Sequence, residues 1–228
     1  MNTVTSNTII EARNLYLAYN NKEDIIKDAN FSIQKREFVF ITGPSGSGKS
    51  TILNSLFGFL PIKSGSLEVR GVNMARPSKA QINFLRQHIG IVFQDYKLIK
   101  EWNIERNIEL PMMISGYKEQ IRKDQVQKLL THIKLPHKFN KYPLELSGGE
   151  QQRVAMARAL SSNPEIILAD EPTGNLDDYS SDLIWNLLRG VNEQLGITVI
   201  VVTHRLPQSF NSNFRHIRIE EGMVYDFD

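Results

Sequence analysis

The sequence has no cysteine, no long apolar run and no block of like charge, and each absence excludes a class of protein. Without cysteine the chain can form neither a disulfide framework nor a thiolate metal or redox site, which is typical of cytosolic proteins. Its longest apolar runs, such as Ile197–Val202, fall far short of the roughly 20 residues that a membrane-spanning helix needs. The net charge of +2 and the lack of a basic tract predict no binding to nucleic acid.

The amino-terminal stretch MNTVTSNTII lacks the basic and apolar regions of a secretory signal peptide. With 228 residues the chain is long enough for one sizeable domain or for two small lobes around a shared core. Apolar residues make up 41% of the chain, the proportion of an ordinary globular protein. We therefore expect a cytosolic protein whose attachment to any membrane depends on another chain.

Short apolar runs rich in β-branched residues alternate with helical patterns along most of the sequence. Phe38–Thr42 (FVFIT) ends directly in a glycine-rich loop, which is typical of a buried strand that leads into a turn. The other predicted strands are Thr8–Tyr19, Gly65–Val72, Ile89–Phe93, Ile166–Ala169, Ile197–Thr203 and a hairpin of Arg215–Ile219 with Met223–Tyr225. This alternation predicts an α/β fold with a largely parallel sheet and helices on both faces.

Helical periodicity marks three segments between these strands. Ile52, Leu53, Leu56 and Phe57 share one helical face, and Gly58 is a suitable stop. Two further stripes with the spacing i, i+3, i+4, i+7 are Val126, Leu129, Leu130 and Ile133, and Ile184, Leu187, Leu188 and Val191. The first of these two lies in Lys97–Lys141, a stretch rich in Lys, Glu, Gln, Ile and Leu that we interpret as a helical insertion.

The segment Gly43–Thr51 (GPSGSGKST) follows a predicted strand and opens a predicted helix, and it fits the pattern G-x-x-x-x-G-K-[ST]. Glycines let the backbone curl so that N–H groups face phosphate oxygens, and the helix directs its positive end at the same place. A glycine-rich turn without chemistry is the alternative, which the strand–loop–helix context disfavours. The predicted nucleotide-binding residues are Gly43, Pro44, Ser45, Gly46, Ser47, Gly48, Lys49, Ser50 and Thr51.

Within this loop the residue types suggest separate tasks. Lys49 should reach the β- and γ-phosphates as a point charge, and the Ser50 hydroxyl should contact Mg²⁺. Thr51 is placed to add a second hydroxyl near the α-phosphate. The loop therefore predicts a bound nucleoside triphosphate with magnesium.

Two acids follow the apolar run in Ile166–Glu171 (IILADE) and predict the metal and water site. Asp170 would hold the Mg²⁺ shell, and Glu171 would activate the attacking water as general base. A solvated acidic turn is the alternative when this segment is taken alone. Gln94 and His204 also come directly after predicted strands, and ligands gather at the carboxyl ends of strands in open α/β sheets. That convergence favours a catalytic site.

A second helix start lies at Leu146–Arg153 (LSGGEQQR), where Ser147 and Glu150 form the capping-box pattern S-x-x-E. An ordinary helix cap is one interpretation. The other is an anion site, because exposed N–H groups and a hydroxyl at a helix start bind anions. One domain has little use for two phosphate cradles, whereas two copies arranged head-to-tail would close two equivalent sites by two-fold symmetry.

The order of these motifs resembles that of the ATP-binding domains of ABC transporters along nearly the whole chain. The matching elements are the Walker A loop at Gly43–Thr51, the Q-loop glutamine Gln94, the signature motif at Leu146–Arg153, the Walker B pair Asp170 and Glu171, the D-loop at Asn175–Asp177 and the switch histidine His204. The resemblance implies one domain, a P-loop NTPase of the ABC ATPase type. Its RecA-like core with an antiparallel β part would comprise residues 1–94 and 142–228, and its helical subdomain residues 95–141.

The resemblance also implies hydrolysis of ATP to ADP and phosphate with Mg²⁺, in a homodimer that forms on ATP binding. The implied catalytic residues are Lys49, Gln94, Glu171 and His204, and the implied metal ligands are Ser50, Gln94 and Asp170. Residues implied to contact nucleotide outside the Walker A loop are Tyr19, Gln94, Ser147, Gly148, Gly149, Glu150, Asp177 and His204. Tyr19 stands where the family places an aromatic that stacks on adenine; Tyr16 is the competing candidate, and a core tyrosine is the third possibility.

Within the family the chain is similar to the small stand-alone subunits of the FtsE, LolD and MacB group. Phe84–Asp95 (FLRQHIGIVFQD) and Ile167–Asp178 (ILADEPTGNLDD) carry this similarity, and Glu105–Met112 (ERNIELPM) is most like FtsE. The similarity implies a role in cell division with an FtsX-like permease that docks in a groove near Gln94 and the helical subdomain. It also implies a cytoplasmic position, peripheral on the inner face of the cell membrane.

Two other functions stay open: a LolD-like or MacB-like subunit for transport or lipoprotein extraction, and a soluble ABC protein without a transport role. The apolar residues around Leu98–Trp102 are candidates for the docking groove, with helix-core packing as the alternative. Two residues depart from the family pattern. Arg36 replaces the usual glycine, so we expect its turn to avoid positive φ. Arg205 follows His204 where the family has aspartate, which could alter the hydrolysis rate.

Overall fold

A computed structural model of the chain describes residues 7–20, 23–208 and 210–227. Within that part the strands are β1 (Thr8–Leu17), β2 (Ile26–Gln34), β3 (Phe38–Thr42), β4 (Ser64–Val69), β5 (Val72–Asn73), β6 (Ile89–Val92), β7 (Ile166–Asp170), β8 (Thr198–Thr203), β9 (Arg215–Glu220) and β10 (Met223–Phe227). The helices are α1 (Lys49–Leu56), α2 (Lys79–Gln87), α3 (Ile104–Ile114), α4 (Glu119–His132), α5 (Gly148–Leu160) and α6 (Asp178–Leu195), with short 3₁₀ helices at Pro136–Lys138 and Pro143–Glu145.

The larger sheet has six strands in the order β10-β9-β3-β8-β7-β6. Its strands β9, β3, β8, β7 and β6 pair in parallel, and only the β9–β10 hairpin is antiparallel. All five residues of β3 are buried, as are all six of β8, because helices or the second sheet cover both faces. The prediction of a largely parallel sheet in an α/β fold is confirmed.

The smaller sheet is antiparallel, with the order β2-β1-β4-β5. The sequence did not predict β2. Asn14 in β1 and Asp28 in β2 both have a φ of 46°, and the β1–β2 register shifts between Ala12 and Leu15. Asn14 Nδ2 donates to Asp28 Oδ1 at 2.8 Å, which stabilises the irregular pairing. This bulge interrupts the alternation from which a strand is predicted.

The predicted single strand at Gly65–Val72 is two strands in the structure. Arg70 and Gly71, with φ of 51° and 76°, form the turn between β4 and β5. The surrounding residues are apolar or charged, and only Gly71 marks a turn in the sequence. The pattern therefore predicts one continuous strand instead of a tight hairpin.

Three buried clusters hold the elements together. The first lies between the two sheets and includes α1; the second packs α6 against the other face of the large sheet. The third joins α3 and α4 with α5 through residues such as Ile108, Leu130 and Val154. Helix α5 contributes Met156 to the second cluster and Val154 to the third. It therefore connects the sheet with the helical part of residues 95–141.

The prediction that the turn at Arg36 avoids positive φ is wrong, because its φ is 69°. Such a conformation costs a residue other than glycine roughly 1 kcal/mol, so other contacts must hold it. The Arg36 N–H donates to Thr198 Oγ1 at 2.9 Å, and Asn192 Nδ2 donates to the Arg36 carbonyl at 2.8 Å. These two hydrogen bonds let arginine occupy the turn.

Candidate active site

The glycine-rich loop lies between the end of β3 and the start of α1. Gly46 and Gly48 have φ of 78° and 105°, the left-handed region that favours glycine. A Cβ on Gly43 would lie 2.2 Å from the Ile219 carbonyl oxygen, so this position has no room for a side chain. Gly48 caps α1 without a side-chain hydrogen bond, and the first turn of α1 contains no acid. The helix therefore begins with N–H groups available to an anion.

Lys49 and Ser47 add two polar groups to this loop. The Lys49 side chain is buried, and its Nζ donates to the carbonyl oxygens of Gly43 at 2.9 Å and Pro44 at 2.8 Å. The Ser47 hydroxyl is buried and has no hydrogen-bond partner among the described residues. Buried polar groups are normally paired, so the loop is built to accept a ligand with oxygen acceptors.

Ser50 and Asp170 face each other across the ends of α1 and β7. Ser50 Oγ donates to Asp170 Oδ1 at 3.2 Å. Burial raises the pKa of Asp170; the Ser50 hydrogen bond opposes this, the neighbouring Glu171 charge adds to it, and the Lys49 charge opposes it. A hydroxyl and a carboxylate are oxygen ligands of the kind that Mg²⁺ prefers alongside phosphates and water, so these residues fit the predicted ion.

No group of three or more His, Cys, Asp or Glu side chains in the described ranges could hold a metal by itself. Magnesium in phosphate-transfer sites is bound by one or two protein oxygens with substrate phosphates and water. The Ser50–Asp170 pair would therefore need a nucleotide to complete the predicted magnesium site.

Glu171 and His204 lie at the ends of neighbouring strands and are in contact. His204 Nδ1 is 3.1 Å from Glu171 Oε2. The Glu171 side chain is 18% exposed and that of His204 is 61% exposed, so the carboxylate lies beneath the imidazole at the edge of the sheet. Glu171 has a φ of 45°, and its N–H donates to the Val202 carbonyl at 2.9 Å. A carboxylate held in this way can accept a proton from water while the imidazole contacts an anion.

Gln94 follows β6 and lies next to the D-loop. Its carbonyl accepts a hydrogen bond from Asn175 Nδ2 at 3.4 Å, and its Nε2 would lie 3.1 Å from a Cβ on Gly174. In residues 7–20, 23–208 and 210–227 no hydrogen bond joins the Gln94 side chain to Ser50 or Asp170. Its assignment to the metal stays a prediction.

The capping box predicted at the start of α5 is confirmed. The Glu150 N–H donates to Ser147 Oγ at 3.3 Å, and the Ser147 N–H donates to Glu150 Oε2 at 2.9 Å. Burial acts to raise the pKa of Glu150, but the Ser147 N–H and the Lys138 ammonium, 3.3 Å away, hold it below its usual value. Glycine at position 149 lets α5 begin against α6, since a Cβ there would lie 2.6 Å from Ser180 Oγ.

One chain assembles only part of the predicted site. Contacts join Ser50 with Asp170 and Glu171 with His204. Among the described residues no hydrogen bond or ion pair connects 147–150 with the loop 43–51. Asp177 caps α6 by accepting from the Ser180 N–H at 2.9 Å, which lowers the pKa of Asp177. Within the described residues the start of α5 and the Asp177 cap thus share no such contact with the phosphate loop.

Tyr19 is not a core residue, because its side chain is exposed to 42%. Its hydroxyl accepts a hydrogen bond at 3.2 Å from Asn54 Nδ2 on α1. Tyr16 is half-buried in β1. The exposed ring beside α1 leaves Tyr19 available for stacking, and its contact with adenine stays a prediction.

A groove of about 550 Å³ lies between the edge of the large sheet and α3. Its walls include Phe57, Phe59, Phe93, Leu110 and Ile114. Phe59 is 54% exposed and Ile114 70% exposed. The groove begins one residue before Gln94, and its role as the docking site stays a prediction.

The stretch Leu98–Trp102, one candidate for the docking groove, does not line this groove. Leu98 packs against the helical cluster. The buried Asn107 amide donates to the carbonyls of Ile99 and Trp102, both at 3.0 Å, which holds the stretch against α3. The alternative of helix-core packing therefore holds for Leu98, while Ile99 and Trp102 are held through their backbone carbonyls.

Arg158 on α5 is a site residue that the sequence did not indicate. Its guanidinium donates to the carbonyls of Tyr96 and Lys97, both at 2.7 Å, just after Gln94. Burial lowers the pKa of Arg158 to about 10. A charged residue within the apolar run VAMARAL was the available signal, because a buried cation needs partners.

The described residues include no helix that is both long and apolar enough to cross a bilayer.

The family model described as "ABC transporter" matches residues 26–174. The chain is 42% identical over 217 residues to the cell division ATP-binding protein FtsE of Streptococcus pneumoniae serotype 2, covering 95% of this chain and 94% of that one. It is 39% identical to lipoprotein-releasing system ATP-binding protein LolD 1 of Chlorobium chlorochromatii, covering 96% and 92%.

The fold is likewise similar to that of solved structures. The dimeric structure of a post-hydrolysis state of the ATP-binding cassette MJ0796, bound to ADP and Pi, has a TM-score of 0.84 and 36% sequence identity. The match covers 94% of this chain and 96% of that one.

Proposed function

The chain belongs to the ABC transporter family, and on that premise we propose that it is an FtsE-like subunit that acts in cell division through an FtsX-like membrane protein. It is an ATPase that uses ATP with Mg²⁺. Cassettes of this family dimerise, pair with membrane permeases and act at the membrane. The proposal places this one in the cytoplasm, on the inner face of the cell membrane.

The loop after β3 and the start of α1 bind the nucleotide. Lys49 exchanges the carbonyls of Gly43 and Pro44 for the β- and γ-phosphates, where its charge forms stronger hydrogen bonds. The Ser47 hydroxyl and the uncapped N–H groups of α1 contact the same phosphates. Tyr19 stacks on the adenine from the exposed side of α1.

Ser50, Asp170 and Gln94 are the residues that would hold Mg²⁺, and the Ser50–Asp170 contact supports this assignment. Bound by these residues, Mg²⁺ would neutralise negative charge that develops on the phosphates during transfer. Glu171 takes a proton from the attacking water at its carboxylate. His204 forms a hydrogen bond with the γ-phosphate. Its contact with Glu171 holds the two side chains next to each other.

Closure of the site requires a second copy of the chain. Ser147, Gly148, Gly149 and Glu150 at the start of α5 face the partner copy's γ-phosphate, together with Asp177. ATP favours the closed dimer because its γ-phosphate contacts both copies, and hydrolysis removes that difference. The lack, within the described residues, of any hydrogen bond or ion pair between 147–150 and the loop 43–51 is the observation that supports this mechanism.

The groove beside Gln94 supports an interaction with a membrane partner. Arg86 lies over the rings of Phe57 and Phe59, 5.2 Å and 4.8 Å from their centres, and donates to the carbonyls of Phe57 and Gly58. It thereby fixes one apolar wall, while α3 forms the other with Ile114. One wall belongs to the end of α1, to α2 and to the edge strand β6, and the other belongs to α3 of the helical insertion, so a partner seated between them would sense their relative motion.

A tagged chain, captured from solubilised membranes of its own host, tests the proposed partner. We expect an FtsX-like membrane protein to co-purify, and Ile114→Glu to abolish its capture. Leu195→Glu is the matched control, since Leu195 is 67% exposed on α6 and does not line the groove. Capture of a lipoprotein-releasing permease would instead establish the LolD-like alternative, which the 39% identity favours second. Absence of any membrane protein would support a soluble ABC protein.

A further inference from the structure

We propose that Gln152 is a positioning residue for hydrolysis: it aligns Glu171 by holding the carbonyl of Pro172. Gln152 lies on α5 and its side chain is fully buried. Its Nε2 donates to the Pro172 carbonyl at 2.6 Å, across 20 residues of sequence. The inference rests on the proposed role of Glu171 as the base.

Only one orientation of the Gln152 side-chain amide is compatible with its contacts. Its Oε1 is buried and has no hydrogen-bond partner among the described residues. Exchanging Oε1 and Nε2 would place two acceptor oxygens against each other at Pro172, so the donor must face the carbonyl. An unpaired buried acceptor destabilises the fold. Gln152 therefore destabilises the fold through its unpaired Oε1, while its Nε2 fixes the position of Pro172.

The segment that Gln152 holds is strained at the base itself. Glu171 has a φ of 45°, which costs a residue other than glycine roughly 1 kcal/mol and persists only where neighbouring contacts enforce it. The Glu171 N–H is held by Val202 at 2.9 Å, and its carbonyl accepts from the Gly174 N–H at 3.1 Å. Proline has no N–H, so the carbonyl of Pro172 is the only backbone hydrogen-bonding group through which that residue can be fixed.

The position of Gln152 also joins two parts of the mechanism. It lies on the helix that begins at Ser147, which the proposed function places against the partner copy's nucleotide. Pro172 follows Glu171, which serves the nucleotide of its own chain. A displacement of α5 on closure would therefore be transmitted by this hydrogen bond to Pro172, next to the base. Misplacing a catalytic group by about 1 Å can cost about a hundredfold in rate.

Gln152→Met in the otherwise unchanged chain tests this role, because methionine keeps the volume and removes the donor. It also removes the unpaired Oε1, so we expect a thermal midpoint close to that of the wild type. The turnover number should fall about three- to tenfold, the value of one neutral hydrogen bond, with the ATP KM unchanged. An unchanged turnover number, or a change in KM alone, would overturn the proposal.

Asn192→Leu is a control for a merely structural role. Asn192 Nδ2 donates to the carbonyls of Arg36 and Ile197, both at 2.8 Å, on the side of α6 away from the site. This variant should lower the thermal midpoint and leave the turnover number of the folded protein unchanged. If Gln152→Met behaves in the same way, Gln152 is structural and the proposal is wrong.

A mixed dimer separates an effect on Glu171 from an effect on the helix start. In a dimer of one Ser147→Arg chain and one Lys49→Ala chain, the single complete site uses Glu171 of the first chain and Ser147 of the second. Adding Gln152→Met to the first chain should slow that site, and adding it to the second should not. The reverse pattern would show that Gln152 acts on Ser147.

Glu171→Gln, measured alongside, separates this inference from its premise. Full turnover in Glu171→Gln would refute the role of Glu171 as base, and this inference with it. Loss of turnover in Glu171→Gln with normal turnover in Gln152→Met would refute the inference alone.

Discussion

The starts of α1 and α5 are both glycine-rich and both predicted to contact phosphate, yet they are built differently. Helix α1 begins at Gly48 with no side-chain cap and no acid in its first turn. Helix α5 begins with the reciprocal Ser147–Glu150 capping box, which satisfies the N–H groups of Glu150 and Ser147 and places a carboxylate at the helix start. The first start has neither a side-chain cap nor a negative charge of its own, whereas the second has both.

This difference predicts an order in which the two helix starts would contact phosphate. Anions are stabilised by free N–H groups at a helix start, and a carboxylate in the first turn occupies the same favourable field. In the proposed mechanism the loop at α1 would therefore bind nucleotide first. The start of α5 would add its glycine backbone and the Ser147 hydroxyl only to a phosphate that the other copy already holds, which would make closure depend on ATP.

Lys49→Ala should have the largest effect on this comparison, because it removes the only cation buried in the first cradle. We expect ATP affinity to fall at least about a hundredfold, since charge-assisted hydrogen bonds to phosphate are worth about 1.5–3 kcal/mol each. Calorimetric titration with ATP and Mg²⁺ measures it. Affinity equal to that of the wild type would remove Lys49 from the site.

Ser147→Arg should affect the second cradle alone. The bulky side chain blocks the approach of the partner copy, so turnover should fall at least about tenfold while ATP binding to one chain stays at the wild-type affinity, because the chain's own loop makes the phosphate hydrogen bonds. Titration of ATP and a steady-state ATPase assay on the same preparation separate these quantities. Loss of ATP binding would show that the start of α5 acts on its own chain.

Two serine-to-alanine variants compare the helix starts in the absence of nucleotide. Ser147→Ala should lower the free energy of unfolding by about 1 kcal/mol, the usual value of an N-cap. Ser47→Ala should lower it by much less or raise it slightly, because the Ser47 hydroxyl is buried without a partner. Urea denaturation of both variants measures the difference. Equal losses would mean that the two starts are capped alike.

Glu150→Gln should have the smallest effect. The amide keeps the capping box and removes a negative charge from the start of α5, so the ATP-bound dimer should tighten about two- to threefold, in line with helix-terminus charges of 0.3–1 kcal/mol. Glu145→Gln, which removes the charge that pairs with Lys141 at 2.8 Å, is the matched control. Sedimentation with Glu171→Gln as background measures dimer affinity, and a weaker dimer would contradict the electrostatic argument.

Local patterns predicted most of the fold, and failed where a tertiary contact overrode them. The strands β3, β7 and β8 were evident because buried parallel strands form continuous apolar runs. Strand β2 was missed because Asp28 interrupts it, and α2 was missed although Ser78 and Gln81 form a capping box. The turn at Arg36 was mispredicted because its conformation is held by Thr198 and Asn192, more than 150 residues away.

The site divides in the same way. Contiguous motifs predicted Lys49, Asp170 and Glu171, since each lies in a segment whose residue types indicate its chemical role. Gln152 and Arg158 depend on contacts with backbone carbonyls 20 and about 60 residues away, and nothing in the local sequence specifies these partners. The sequence leaves Leu98–Trp102 open between the docking groove and helix-core packing, because apolar residues alone do not distinguish an exposed wall from a packed core.

The mixed dimer of Ser147→Arg and Lys49→Ala chains tests the division between the two helix starts most directly. Each variant alone should be inactive, because both of its sites lack one part. The mixed dimer should recover about half of the wild-type turnover, since two-fold symmetry leaves one of two sites complete. A mixed dimer as inactive as either variant would contradict the account, because it would mean that each chain closes its own site.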